Sequence, residues 1–320
     1  MRDFAGKIAV ITGGGTGMGR ELARQLMAQG CDVAMCDVSA ENLAEASAVC
    51  TREAPQGVRL TTFRCDVADP AQMEDFAQHV ADTFATSHIN LLFNNAGIAG
   101  AGSFINDDPA LWARIFDICW GGVYNGCRAF MPLLLRSEEG HIINTSSING
   151  FWASSGPNSA HTAYSAAKFA VKGFTEALIT DLRLNAPQIR ASVVMPGHVG
   201  TSILLNSQLV AGDPDAGRTD VGSARTLLNM MNIDHSELSD VDADAAAQSL
   251  GTTFRDNAPT TASAAATIIL DGVKAERWRI LVGSDANTLD AHVREHPEEA
   301  YELSFLADLA AVRAAAQGDT

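Results

Sequence analysis

Lys7-Ile8-Ala9-Val10-Ile11-Thr12-Gly13-Gly14-Gly15-Thr16-Gly17-Met18-Gly19 begins as an apolar strand and runs into glycines. The next residues, Arg20-Glu21-Leu22-Ala23-Arg24-Gln25-Leu26-Met27-Ala28-Gln29, read as a helix closed by Gly30. A strand, a glycine-rich turn and a helix in this order can cradle a phosphate group. Glycines let the backbone approach a pyrophosphate, and the helix start offers unpaired N–H groups and a positive dipole end. Alone, such a turn says little. Outward from it, strands and helices alternate: strands are expected at 32–37, 58–65, 89–94, 141–146 and 189–195, with helices from Ser39, at 70–84 and at 108–135. Helix 261–275 and strand 277–283 follow. This pattern predicts an α/β fold, a doubly wound Rossmann-type parallel sheet of about seven strands with helices on both faces.

The strand Asp32-Val33-Ala34-Met35-Cys36-Asp37 ends on an acid 24 residues after Gly13, close to where a dinucleotide's adenine ribose is read. Asp37 would accept hydrogen bonds from both ribose hydroxyls and repel a 2′-phosphate. No Arg or Lys stands at 14–16 or 38 to welcome that phosphate. The expected cofactor is therefore NAD rather than NADP.

Tyr164-Ser165-Ala166-Ala167-Lys168 opens a second informative run, with apolar residues recurring at three and four and no Pro. Positions i and i+4 share one face of a helix, so phenol and ammonium point the same way. A tyrosine of pKa near 10 is a poor base at neutral pH, and a neighbouring cation lowers that pKa.

Composition bounds what the chain can do. At 320 residues and 47% hydrophobic it can bury a large core as one unit, and no repeat or low-complexity linker divides it. A formal charge of −16 argues against nucleic acid and anionic membrane surfaces as partners. No apolar window approaches the length of a membrane span, and nothing resembles a signal peptide, so a cytoplasmic protein is expected. Six cysteines form no C-x-x-C pair and no His/Cys cluster at zinc spacing. No metal is expected, and the cysteines read as small buried hydrophobes in a reducing compartment.

From 202 to 260 the pattern changes to Asp, Gly, Asn and Ser around one amphipathic piece, 224–231. A stretch this long is expected to be a substrate lid. The tail 288–320 is charged and helical in pattern, fit for surface packing or a subunit contact.

Thr12-Gly13-x-x-x-Gly17-x-Gly19, Asn94-Asn95-Ala96-Gly97, a Ser before Tyr164-x-x-x-Lys168, and Pro196-Gly197-x-Val199-x-Thr201 occur in that order. Together they resemble the short-chain dehydrogenase/reductase family, its compact single-domain branch, over about residues 5–201. The resemblance implies an NAD(H)-dependent oxidoreductase that interconverts a secondary alcohol and a ketone. Tyr164 would exchange the proton, Lys168 would bind the nicotinamide ribose and lower the tyrosine pKa, and Ser147 rather than Ser146 would steady the substrate oxygen. Gly13, Gly15, Thr16, Gly17, Met18 and Gly19 would hold the pyrophosphate end. Asp66 and Val67 would face the adenine, and Asn95, Ala96 and Gly97 the adenosine ribose and sheet core. Pro196, Gly197, Val199 and Thr201 would meet the nicotinamide, with Thr201 near its carboxamide.

Two departures stand out. The spacing from Ser147 to Tyr164 is 17 residues, longer than usual, which suggests an enlarged loop at 151–157 on the substrate mouth. Cys119 stands where the family usually has an Asn that kinks the helix and extends the proton relay, and a thiol is a poor substitute for an amide. It motivates a rival reading, a catalytically idle NAD-binding regulator, alongside an NADPH-dependent reductase and a dehydratase or epimerase on the same fold. His161 and His198 are expected as pocket walls or surface residues. Leu204, Leu205, Leu227, Leu228, Met230 and Met231, with Phe151 and Trp152, hint at a bulky hydrophobic substrate. The resemblance also implies a homodimer or homotetramer, which light scattering would test.

Overall fold

The structure, a computed structural model, describes residues 1–100, 103–106, 108–154, 160–211, 224–225, 227–228, 233–305 and 307–309. Seven strands form one parallel sheet in the order β3-β2-β1-β4-β5-β6-β9. They are β1 (Ile8–Thr12), β2 (Asp32–Asp37), β3 (Leu60–Arg64), β4 (Leu91–Asn94), β5 (Gly140–Thr145), β6 (Ile189–Pro196) and β9 (Arg279–Val282). A two-residue ladder of β7 (Val199–Gly200) and β8 (Thr260–Thr261) stands apart. The doubly wound sheet is thus as expected.

Its central strands are apolar on both sides because helices cover both faces. Ile8, Val10, Ala34 and Leu92 point into one layer, with α3 (Pro70–Phe84), α5 (Gly122–Leu134) and α6 (Thr162–Asn185). The alternate residues Ala9, Ile11, Val33, Met35, Leu91 and Phe93 point into the other, with α1 (Gly17–Ala28), α2 (Ala40–Glu53) and α9 (Ala262–Lys274). Caps mark where helices begin. The Ser39 hydroxyl accepts from the Asn42 N–H, and the Asp69 carboxylate accepts from the N–H groups of Ala71 and Gln72, with Pro70 in the first turn. Such caps contribute about 1 kcal/mol each.

The single helix expected over 108–135 is interrupted. α4 (Pro109–Phe116) runs into a π-helical turn, Asp117–Gly121, before α5. The turn widens the helix, with the Gly122 N–H donating to the Asp117 carbonyl. Such turns gather at functional sites.

The segment expected as a lid is partly helical. α7 (Ile203–Ala211) and α8 (Asp240–Asp256) enclose a small core of their own, Leu204, Ala224, Leu227, Leu228, Ala243 and Ala247. α8 is a finding; its Asp- and Ala-rich sequence did not announce a helix, although Ser239 caps it. Met230 and Met231 lie outside the described residues, as do loop positions 155–157 and the tail beyond 309. α10 (Ser284–Glu295) opens the tail, and Ala300, Phe305 and Leu309 fold back onto Trp152. Among the described residues no helix is long and apolar enough to cross a membrane. All six cysteines are free and buried.

Candidate active site

Strand order reverses between β1 and β4, which leaves a crevice at their carboxyl ends. Thr12 closes its floor. Its hydroxyl accepts from the N–H groups of Asn95 and Ala96, both at 3.0 Å, while the Asn95 amide donates to the Thr12 carbonyl at 3.1 Å. Gly13 takes φ +65°, and a Cβ there would come 2.8 Å from the Ala96 backbone. A Cβ on Gly19 would sit 2.0 Å from the Gly13 carbonyl, so α1 can lie this close only because residue 19 has no side chain.

A cavity of about 150 Å³ occupies the crevice. Eleven of the expected cofactor residues line it: Gly13, Thr16, Gly17, Met18, Asp37, Asp66, Val67, Asn95, Ala96, Gly97 and Thr201. Gly15 and Gly19 do not. They shape the turn instead, Gly15 donating its N–H to Asp37 at 3.0 Å. Pro196, Gly197 and Val199 also stay off the cavity wall, as do Tyr164 and Lys168. Gly197 packs against Asp285, whose carboxylate accepts from the His198 N–H at 2.7 Å, and Val199 is buried in the layer beneath α9. That carboxylate pins the segment after β6 from a position 87 residues away, and nothing in the sequence singled it out.

At one end of the cavity the Asp37 carboxylate faces the opening, one oxygen on Gly15 and the other accepting from the Ser39 N–H at 3.1 Å. Burial raises its pKa, and the backbone N–H groups of Ser39 and Gly15 oppose the rise. Arg114 lines the same cavity unanticipated, held at 2.6 Å by Asp66. Thr16 precedes α1 without capping it; its hydroxyl accepts from Asn206 of α7 at 2.8 Å. The start of α1 thus opens on the cavity with no side-chain cap, as an anion site requires. α7 docks over the opening at a second point, where Ser207 accepts from the Ala99 N–H at 2.8 Å.

Beyond Gly97 the trio of Ser147, Tyr164 and Lys168 comes together. The first turn of α6 sets Tyr164 and Lys168 on one face, and the ammonium lies 5.4 Å from the centre of the phenol ring. Ser147, not Ser146, shares a hydrogen bond with the Tyr164 hydroxyl. The Ser146 hydroxyl is taken by the Lys168 carbonyl at 2.7 Å. Lys168 donates to the Thr145 carbonyl at 2.9 Å. Burial lowers the Lys168 pKa.

For Tyr164 the expected depression is absent. Burial pushes its pKa well above the usual value, the nearby Cys119 thiol adds to the rise, and only the Ser147 hydrogen bond opposes it. The cost of desolvating a phenolate dominates, and the ammonium is directed to the Thr145 carbonyl rather than to the phenol oxygen. Cys119 is fully buried, with its thiol donating to the Ile98 carbonyl at 3.4 Å. The π turn re-aims the helix where an Asn would have kinked it. His161 packs edge-on against Tyr164 at 5.1 Å and is kept neutral by burial, which lowers its pKa to about 4. His198 is bound by Phe254 through ring and carbonyl.

The last turn of α10 also gathers His292, Glu295 and His296, with ligand atoms within 4.8 Å of one another, a group that a search for cysteine-anchored zinc spacings passes over. Two of the three are solvent-exposed, and side chains at a helix end gather in this way without an ion.

Residues 7–209 match the family profile described as short chain dehydrogenase. A Mycobacterium tuberculosis protein, SadH, which carries the provisional name of an oxidoreductase, is 37% identical over 213 residues, 67% of this chain and 74% of its own length. A 3-alpha-(or 20-beta)-hydroxysteroid dehydrogenase of Mycobacterium bovis is 36% identical over 198 residues, 61% of this chain and 70% of that one. Among solved structures, a short chain dehydrogenase/reductase from Burkholderia phymatum in complex with NAD superimposes with a TM-score of 0.74 at 29% identity, covering 93% of this chain and 95% of that one. A metagenomic short-chain oxidoreductase in complex with NADP gives 0.53 at 26%, covering 68% of this chain and 96% of that one.

Proposed function

The chain belongs to the short-chain dehydrogenase/reductase family of oxidoreductases, whose members bind NAD or NADP, and on that premise we propose that it interconverts a secondary alcohol and a ketone with NAD(H). The observation that carries this reading is the Ser147–Tyr164–Lys168 trio, whose ammonium lies beside Gly97 of a crevice that fits a dinucleotide. The uncapped start of α1, the Asp37 carboxylate and the side-chain-free approach at Gly13 and Gly19 fit the cofactor. When bound, the nicotinamide supplies or accepts the hydride.

The residues of this chain do the rest. Tyr164 gives its proton to the ketone oxygen in reduction and takes it back in alcohol oxidation. Ser147 hydrogen-bonds that oxygen as negative charge develops on it. Lys168 holds positive charge beneath the ring, ready to bind the nicotinamide ribose. The high pKa of Tyr164 suits it as an acid, so reduction runs with the phenol protonated across neutral pH. Oxidation needs the phenolate, so its rate climbs as pH rises.

Support for NAD over NADP comes from Asp37 and from Arg114. Asp37 presents a carboxylate where a 2′-phosphate would sit, and the guanidinium that reaches the cavity is already paired to Asp66. The complex of the Burkholderia phymatum relative with NAD agrees. For the substrate, the lid leucines Leu204, Leu227 and Leu228 pack inward on Ala243 and Ala247, so they are not free to form a pocket wall. A bulky hydrophobic substrate is supported instead by the hydroxysteroid name of the Mycobacterium bovis relative.

The test is NADH formation at 340 nm with a panel of secondary alcohols, including steroid alcohols, and the reverse reaction with cyclic ketones. NADP should serve much less well. Tyr164→Phe should lower kcat by about 10²–10⁴-fold with cofactor affinity unchanged. Tight NADH binding with no turnover on any alcohol or ketone would favour the idle-regulator reading.

A further inference from the structure

Ser147 is the first residue of an irregular segment rather than the last of a strand. It caps a 3₁₀ turn, Ile148–Gly150, and its hydroxyl oxygen accepts from the Asn149 N–H at 3.1 Å. That bond occupies a lone pair and turns the hydroxyl proton towards Tyr164. The Asn149 side chain is 7% exposed and spends both amide hydrogens locally, on the carbonyls of Trp152 at 3.2 Å and Ser154 at 3.0 Å. The segment is therefore coiled around Asn149, and its far side is Trp152.

Trp152 is 4% exposed although it sits on a loop. Residues from the end of the chain bury it. Its indole N–H donates to the Ala300 carbonyl at 2.7 Å, and its ring packs with Leu289, Phe305 and Leu309. One residue on, the Ala153 N–H donates to the Tyr301 hydroxyl at 3.0 Å. One residue back, the Arg279 guanidinium lies over the Phe151 ring, and Arg279 is itself anchored by Asp290 of α10. Each contact to the loop itself joins positions well over a hundred residues apart, and together they grip three consecutive loop residues. Surface packing alone would not place two directed hydrogen bonds on adjacent residues of the loop that carries Ser147.

We propose that Ala300, Tyr301, Phe305 and Leu309 form an intrachain clamp on the loop after Ser147. Trp152 and Asn149 are positioning residues that carry its grip to the Ser147 hydroxyl. The C-terminal segment thereby sets how well the substrate oxygen is held, while cofactor binding in the crevice after β1 is left alone. This rests on the alcohol/ketone reading for its kinetic consequence, but the clamp itself can be observed without turnover.

The experiment uses the full chain with Trp152→Phe, which removes the indole N–H and leaves a smaller aromatic ring, and Phe305→Ala, which keeps the N–H and thins the packing. Amide hydrogen exchange over 148–154 is read together with KM, kcat and the NADH dissociation constant. Loss of one directed hydrogen bond should speed exchange in that segment by about tenfold and leave β1 to β4 unchanged. KM should rise by about tenfold, with the NADH constant within about twofold. Unchanged exchange over 148–154 overturns the clamp. Faster exchange with unchanged KM overturns the positioning role. Cofactor affinity falling in step with thermal stability assigns the contacts to general packing and overturns both. A wild-type chain inactive on every substrate would count against the alcohol/ketone reading, and the exchange result would still decide the clamp.

Discussion

The crevice after β1 and the loop after Ser147 are built by different means. In the crevice the backbone decides: Gly13 in a left-handed conformation, Gly19 against a carbonyl, and Thr12 stitching two strand ends through main-chain N–H groups. Around the loop side chains decide: a Trp under a Phe, a Tyr hydroxyl on a loop amide, and an Arg over an aromatic ring. Backbone geometry tolerates almost no variation, whereas side-chain packing can be rebuilt in many ways. One fold can therefore keep a cofactor and change its substrate.

The sharpest way to break this contrast is Gly19→Ala. The new methyl must displace either α1 or the turn, because the Gly13 carbonyl is backbone and cannot rotate away. Stability should fall by about 3 kcal/mol. NADH affinity should fall by more than about tenfold, read by thermal melting and fluorescence titration. A variant that melts and binds like the wild type would refute the backbone account.

Acid probes the sheet that joins the two regions. His141 of β5 is buried against the Ser192 hydroxyl of β6 at 2.7 Å, and burial lowers its pKa to about 3. Below the ordinary histidine pKa the unfolded chain takes up a proton that the folded one refuses. Stability should thus be intact above about pH 6.5 and fall as pH drops towards 3, by about 2 kcal/mol at pH 5 from this residue. His161 beside Tyr164 adds to the loss in the same direction. Denaturation midpoints measured from pH 7.5 to 4.5 check it, and His141→Leu should flatten the slope.

The mildest test is Gly173→Ala. Gly173 lies inside α6 with open space where a Cβ would go. Helix propensity alone should then raise stability by about 0.5–1 kcal/mol without touching kinetics. The opposite signs expected at Gly19 and Gly173 separate glycines that the fold requires from one it merely tolerates.

The same contrast explains what could be read from the sequence. Apolar runs punctuated by glycine gave up the order of strands and helices, and i, i+4 spacing brought Tyr164 and Lys168 to one face. Both are short-range signals. The π turn at 117–121 was hidden because no Pro or Gly lies between Pro109 and Gly121, so the helical pattern runs on through it. α8 was hidden by its composition. Asp285, Asn149 and the grip of Ala300, Tyr301, Phe305 and Leu309 were hidden for another reason. Each works through directed contacts of individual side chains, several of them across long stretches of chain, and periodicity carries no trace of such contacts. The raised pKa of Tyr164 belongs with these, since burial is a property of the assembled site.

The distribution of thiols follows the same division. Cys31, Cys36, Cys50 and Cys65 sit in the layers around β1 to β3, and Cys119 and Cys127 in the helices beside them, all buried. None lies beyond residue 127. A disulfide-exchange reagent added to the native protein therefore meets no thiol until the layers beside the sheet open, with Cys119 answering for the surroundings of Tyr164 and Cys36 for the nucleotide cradle. The chain carries its own chemical clock for the sheet and its covering helices, and it is silent about the segment that follows residue 127.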